Sequence, residues 1–180
     1  METYREKIGV VKVESGMIVA SDPCYERDVW CALSFVAENG RYKIESEIEE
    51  KSGRVAVLRA IHEDYVGKSL DYAYVNCVAV DSGTFGIFDY DYHKQTHNEG
   101  NENLEVDDEW YETYVVEMTD NYHIVDEKCV ISSSGYGDGT YALSVAYNDD
   151  EEIIAVEVVF IEDNDDYIND EDEFNEMDWE

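Results

Sequence analysis

Basic residues are what this 180-residue sequence has least of: 12 Lys and Arg stand against 45 Asp and Glu, a formal net charge of −33. That shortage excludes a nucleic-acid binder that works by counterion release, which needs a Lys/Arg surface. It also argues against attachment to an anionic membrane. Proline occurs once, at Pro23, and no Pro/Ser-rich linker divides the chain. The four cysteines, Cys24, Cys31, Cys77 and Cys129, are too scattered for a disulfide framework, and no pair has the C-x-x-C spacing of a zinc or redox site. They read as small buried apolar side chains. The longest apolar run, Ile153 to Ile161, is interrupted by Glu157 and is about half a membrane span. The charged start, Met1 to Lys7, has no signal-peptide apolar stretch behind it. A soluble, cytoplasmic protein is expected. Aromatic residues are not lacking: 15 Tyr, 5 Phe and 3 Trp exclude a wholly disordered acidic chain.

The charge is uneven. Residues 1–94 hold 17 acids and 11 bases, whereas residues 95–180 hold 28 acids and one base, Lys128. The stretch from Glu162 to Glu180 carries 11 acids and no base. Such blocks are solvated tails as a rule, yet Tyr167, Ile168, Phe174, Met177 and Trp179 are interleaved here. We read a β-rich domain over 1–161 and an acidic tail over 162–180.

Alternation of apolar and polar residues, rich in β-branched and aromatic types, dominates the chain. It predicts strands over Ile8–Val13, Met17–Ala20, Arg54–His62, Tyr72–Val80, Thr84–Phe88, Cys129–Ser133, Thr140–Tyr147 and Ile153–Ile161. Val29–Ala37 and Arg41–Glu50, separated by Asn39-Gly40, read as a hairpin, since Asn-Gly suits a tight turn. Trp110, Tyr114 and Met118 recur every four residues and predict one short helix near 107–118, with acids in its first turn. His97 to Glu105 reads as a polar surface loop. The expected fold is mainly β, a sandwich or half-open barrel of antiparallel strands with that helix and the acidic tail. Apolar residues on both faces of Ile153–Ile161 suggest a homodimer or a covering tail.

Two stretches share the pattern V-[ED]-S-G-x5-D-x-x-Y: Val13 to Tyr25 and Val80 to Tyr92. Each reads as a Ser-Gly turn, a short strand and an Asp that stops it by bonding nearby amides. They are either equivalent strand corners or a device that brings Asp22 and Asp89 to one site. A third feature, Gly135-Tyr136-Gly137-Asp138-Gly139, reads as a tight connection between strands. It lacks the Lys-Ser/Thr of a phosphate loop. Asp22, Asp89, Tyr136 and Asp138 are the candidate ligand residues.

The Ser15–Tyr25, Val80–Gly83 and Gly135–Tyr141 boxes together resemble a family of uncharacterised all-β proteins from bacteria, phages and plasmids. The resemblance spans most of residues 10–161. It implies a mobile-element setting in a bacterial host cell and no established enzymatic activity.

Enzyme signatures are absent. No G-x-S-x-G occurs, and His93 and His97 have zinc-helix spacing, but Lys94 stands where Glu should follow the first His and the segment reads as loop. Near-calcium spacing from Asp163 lacks the required Gly and terminal Glu. No cofactor, metal or catalytic residue is expected. The acids themselves are the candidate binding groups: Glu45, Glu47 and Glu49; Asp107, Asp108 and Glu109; Asp149, Asp150, Glu151 and Glu152; and Asp163, Asp165, Asp166, Asp170, Glu171 and Asp172 in the tail. On a strand, Glu45, Glu47 and Glu49 point outward at about 6.6–6.8 Å intervals, close to phosphate spacing along a nucleic-acid strand. In size, acidity and setting the chain is similar to anti-CRISPR and anti-restriction proteins. The expectation is a non-enzymatic nucleic-acid mimic. It blocks a basic nucleic-acid-binding protein, such as a Cas9-type nuclease, whose channel and motif-reading arginines suit such a decoy. Rival readings are an immunity protein against a basic toxin nuclease, a halophile's acidic protein, and a small-molecule or cation-binding module at the glycine box.

Overall fold

The computed structural model describes residues 1–26, 32–97 and 108–163, the Asp108 side chain excepted. The described chain is mostly antiparallel β. The strands are β1 (Thr3–Val13), β2 (Met17–Ser21), β3 (Leu33–Val36), β4 (Gly40–Glu49), β5 (Val55–His62), β6 (Ala73–Val80), β7 (Thr84–Asp89), β8 (Tyr122–Val125), β9 (Cys129–Ser133), β10 (Gly139–Tyr147) and β11 (Ile153–Val159). A six-stranded sheet runs β1-β4-β5-β11-β10-β6, and a five-stranded sheet runs β3-β2-β7-β9-β8. The sheets face each other without closing into a barrel.

Strand alternation explains the layers. In the small sheet, Ile18, Ala20, Phe85, Ile87 and Val130 point into the inter-sheet core. They meet Tyr42, Ile44, Ile48, Leu58, Leu143, Val156 and Val158 of the large sheet there. Val19, Phe88, Cys129 and Ile131 point the other way and pack under Tyr92, Trp110 and Val115. The second face of β11, which the sequence leaves open for a partner copy or tail, has its own cover. Ile154 and Ala155 pack with Ala146 under Ile61, Tyr65, Leu70 and Tyr72.

Both sheets read nearly the same from either end. β1, β4 and β5 mirror β6, β10 and β11 across the large sheet, and β3-β2 mirrors β9-β7 in the small one. The V-[ED]-S-G repeat is thus the sequence trace of an internal two-fold. The second half differs by an insertion between β7 and β9: α1 (Tyr90–Thr96), α2 (Asp108–Tyr111) and β8.

Three expectations need correction. Residues 33–50 do not form a hairpin, because β3 pairs with β2 while β4 pairs with β1 and β5. Asn39 serves the crossing between sheets: its Oδ1 accepts from the Gly16 N–H at 2.7 Å. Gly40 is required by proximity, since a Cβ there would stand 2.2 Å from His62 Nε2. Second, His93 lies in a helix rather than a loop. Asp89 caps α1, its side chain accepting from the Asp91 and Tyr92 amides. Third, His97 is buried rather than a surface residue, its Nε2 donating to the Pro23 carbonyl at 2.9 Å. The helix expected near 107–118 is present as α2, but it continues as a π-helical turn over Glu112–Val116. The Glu117 N–H reaches back five residues to the Glu112 carbonyl. The wider turn puts Val115, rather than Tyr114, in the buried row with Trp110.

Candidate functional site

Glu45, Glu47 and Glu49 alternate outward from β4 as the sequence predicts, while Tyr42, Ile44 and Ile48 are buried. They do not form a bare anionic row. Arg59 stands opposite Glu45 on β5 and is only 14% exposed. Its Nη1 donates to Glu47 at 2.7 Å, and its Nε donates to Glu157 at 2.6 Å. Arg5 adds pairs to Glu45 at 3.9 Å and Glu47 at 3.5 Å. Burial works against the charge on Arg59, but its bonds to Glu47 and Glu157 outweigh that and raise its pKa. Glu49 stands at the strand end, where the Ser52 hydroxyl and then Tyr136 hold its carboxyl below the ordinary range.

The acids at the β10–β11 turn are presented differently. Asn148 organises them: its Oδ1 accepts from the Asp150 and Glu152 amides, both at 3.0 Å. Its own N–H donates to the Glu152 carbonyl at 2.9 Å. Glu151 takes a left-handed conformation, with φ of 62°. Asp149, Asp150 and Glu151 are exposed, and among the described residues they have no cation within ion-pair distance. The Asn148 Nδ2 donates to Glu38 at 2.9 Å and to Glu152 at 3.1 Å. Beside the turn, a cleft of about 310 Å³ is lined by Tyr65, Lys68, Leu70, Asn148 and Asp149 among others.

Glu38 belongs to a second cluster. Glu38, His62 and Asp64 offer ligand atoms within 4.8 Å of one another. The imidazole is already committed, however. Its Nε2 bonds the Asn39 carbonyl at 3.0 Å, so Nε2 carries the proton, and Nδ1 accepts from the Asp64 amide at 3.2 Å. No nitrogen lone pair is left for a cation. His62 works as a strut that ties the β3–β4 crossing to the turn after β5.

Asp22 and Asp89 do not converge. They exchange turns. Asp22 Oδ2 accepts from the Asp81 and Ser82 amides at 2.7 and 2.8 Å, and Oδ1 from the Ser82 hydroxyl and the Cys24 amide, both at 2.7 Å. Asp89 Oδ2 accepts from the Glu14 and Ser15 amides at 2.9 and 3.0 Å. Each box's Asp therefore caps the other box's Ser-Gly turn across the paired β2 and β7. Asp89 stands opposite Ile18, four residues before Asp22, so the two lie about 13 Å apart along the strands.

The glycine box is a closed connection. The Gly137 N–H donates to the Ser134 carbonyl at 3.0 Å, and the Tyr141 hydroxyl to the Gly137 carbonyl at 2.5 Å. A Cβ on Gly135 would meet Ile161 and Phe160 at 3.0 and 3.1 Å. Tyr136 is 66% exposed, donates to Glu49 at 3.1 Å and lies under the Arg54 guanidinium, while Asp138 is exposed.

Of the remaining predicted residues, Glu109 is exposed on α2. Asp163 accepts from the Met1 ammonium at 2.5 Å. Asp107, Asp165, Asp166, Asp170, Glu171 and Asp172 lie outside the described residues, as does the side chain of Asp108. Arg59 and Asn148 were missed by sequence reasoning. The Asn-Asp-Asp run between two strands is the signal that could have found Asn148. Nothing local marks Arg59.

A family model matches residues 63–158, more than half of the chain, under the description "Protein of unknown function (DUF4241)". The chain belongs to that family. The matched DUF4241 stretch runs from the turn after β5 nearly to the end of β11, so it takes in the second half of the internal two-fold. It contains the Val80–Gly83 and Gly135–Tyr141 boxes and leaves out the first. No curated protein and no solved structure matches the chain.

Proposed function

We propose that this DUF4241 protein is a non-enzymatic acidic inhibitor that occupies the nucleic-acid-binding surface of a basic protein. A bacterial defence nuclease of the Cas9 or restriction type is the leading target, met inside the host cell of a mobile element. The observation that carries the reading is the Asn148-held turn, where exposed Asp149, Asp150 and Glu151 have no cation partner among the described residues. Carboxylates ordered before binding lose less entropy on meeting arginines than mobile ones. The surrounding negative field would speed encounter at low salt. Glu45 and Glu47 contribute less, because Arg59 and Arg5 already neutralise them. An immunity protein against a basic toxin nuclease would use the same surface, and the partner recovered separates the two.

The test is competition. A Cas9–guide complex is titrated with the protein in the presence of labelled target DNA, at two salt concentrations. The expected result is DNA displacement that weakens as salt rises. Converting Asp149, Asp150 and Glu151 to Lys should reduce displacement by an order of magnitude or more. Converting Glu45 and Glu47 to Gln should change it little. Equal displacement by the parent and the turn variant would remove the turn from the mechanism. No displacement of DNA from any basic nuclease tried would remove the mimic reading.

A further inference from the structure

The internal two-fold places β1 and β6 at opposite edges of the large sheet, and the two edges are finished differently. The β1 edge carries Arg5, Glu6, Lys7 and Lys12 and is kinked by a bulge between Lys7 and Gly9. The turn after β8 runs beside it: the Lys12 N–H donates outward to the Glu127 carbonyl at 2.7 Å, and Tyr122 donates to Glu6. Charge, bulge and cover are the usual protections of an edge.

β6 is barer. It has no charged residue from Ala73 to Val80, Tyr74 is 63% exposed, and no described strand pairs with its outer side. Among the described residues, its one protection besides a bulge is local. The Cys77 N–H is bonded to Oδ1 of neighbouring Asn76 at 2.8 Å, so that amide faces away from β10. Ala79, two residues on, faces the same way by strand alternation. It holds the position that Lys12 holds in β1. The fold thus uses this amide position to bind a passing main chain at one edge, and among the described residues no main chain takes it at the other.

We propose that β6 is a docking edge, where an extended, Lys- or Arg-bearing segment of a partner protein adds a strand to the large sheet. Charge selects this occupant over a second copy. Exposed Asp71 and Asp81 bracket the strand, and exposed Asp138 precedes Gly139, the residue paired with Val80. Two copies pairing antiparallel through β6 would set Asp71 of one near Asp81 of the other, which is destabilising. A segment with basic residues outside a neutral stretch of about eight, roughly 27 Å long, meets those carboxylates instead. The edge is separate from the β10–β11 turn and holds or fails independently of competition with nucleic acid.

Amide hydrogen exchange on the full chain tests it, with a synthetic peptide of alternating Thr and Val ended by two lysines on each side as the probe. Saturating peptide should slow exchange at Cys77 and Ala79 by about tenfold or more and leave Lys12 unchanged. The same peptide ended by Glu, or N-methylated at alternate residues, should have no effect. Asp71→Lys with Asp81→Lys, both at exposed positions, should weaken the effect of the lysine peptide. No slowing at Cys77 and Ala79 would overturn the proposal. So would equal slowing by the Glu-ended peptide. Slowing that grows with protein concentration without peptide would overturn it in favour of a second copy.

Discussion

Asp22 is fully buried and its carboxylate accepts four hydrogen bonds, three of them from the turn of the other box. A buried charge so placed stabilises the fold only while its donors stay paired. Asp22→Ala strands the Asp81 and Ser82 amides, and Asn at this position turns an N–H₂ group toward donors. We expect either variant to cost about 3 kcal/mol, which for a chain of this size lowers the melting temperature by roughly 6–12 °C. Asp89→Ala should behave alike, and exposed Asp138→Ala should stay within about 0.5 kcal/mol of the parent. Thermal melts of the three variants decide; a neutral Asp22→Ala would mean that the crossed caps do not hold the sheets together. The repeat was legible in the sequence, and so was the turn-stopping role of each Asp. The exchange of partners was not, because it depends on β2 pairing with β7, and no local spacing encodes which strands are neighbours.

Strands were visible element by element because alternation is strong, and Cys129–Ser133 matches the expected span residue for residue. Sheet membership was hidden for β3 and β4: Asn39-Gly40 has the composition of a hairpin turn but crosses between sheets. Helix α1 was hidden because its buried row, Tyr92, His93, Thr96 and His97, reads as polar. That row has a pH consequence. Burial holds the His97 pKa below its ordinary value, against the opposing pull of the Pro23 and His93 carbonyls. Among the described residues, Thr96 Oγ1 and the rings of His93, Phe88 and Trp110 also surround it. The unfolded chain therefore takes up a proton near pH ~6.5 that the folded chain resists. Stability from neutral His97 is complete above that pH and falls as pH drops through it, by at most about 1.4 kcal/mol per unit. Urea unfolding of the parent and His97→Gln at pH 7.5 and 5.5 measures this. The gap between them should narrow at the lower pH, and a constant gap would show that His97 does not titrate on unfolding.

At the scale of the whole molecule, ion pairs and like-charge repulsion compete, and salt tells which dominates. The pairs of Arg59 with Glu47 and Glu157 and of Lys12 with Glu127 are contacts of 2.6–2.7 Å, partly shielded from solvent in the case of Arg59. Screening acts weakly at that range. The repulsion among acids that outnumber bases by 33 acts over tens of ångströms. The screening length falls from about 30 Å at 0.01 M salt to about 3 Å at 1 M. Added NaCl should therefore relieve repulsion more than it weakens contacts, and the melting temperature should rise with salt. A fall would mean that the Arg59 network and its like outweigh the net charge. The same asymmetry bears on partner choice. Residues 95–180 carry one base against 28 acids, so pairing with bases of the first half, as Arg59 with Glu157 and Lys12 with Glu127, neutralises only part of that charge. A multivalent cationic surface that binds the native state relieves the same repulsion, and it stabilises the fold by an amount set by its concentration and affinity. Binding of a basic protein should thus raise the melting temperature most at low salt, where the unrelieved repulsion is largest, and the increment should shrink as NaCl takes over the same role.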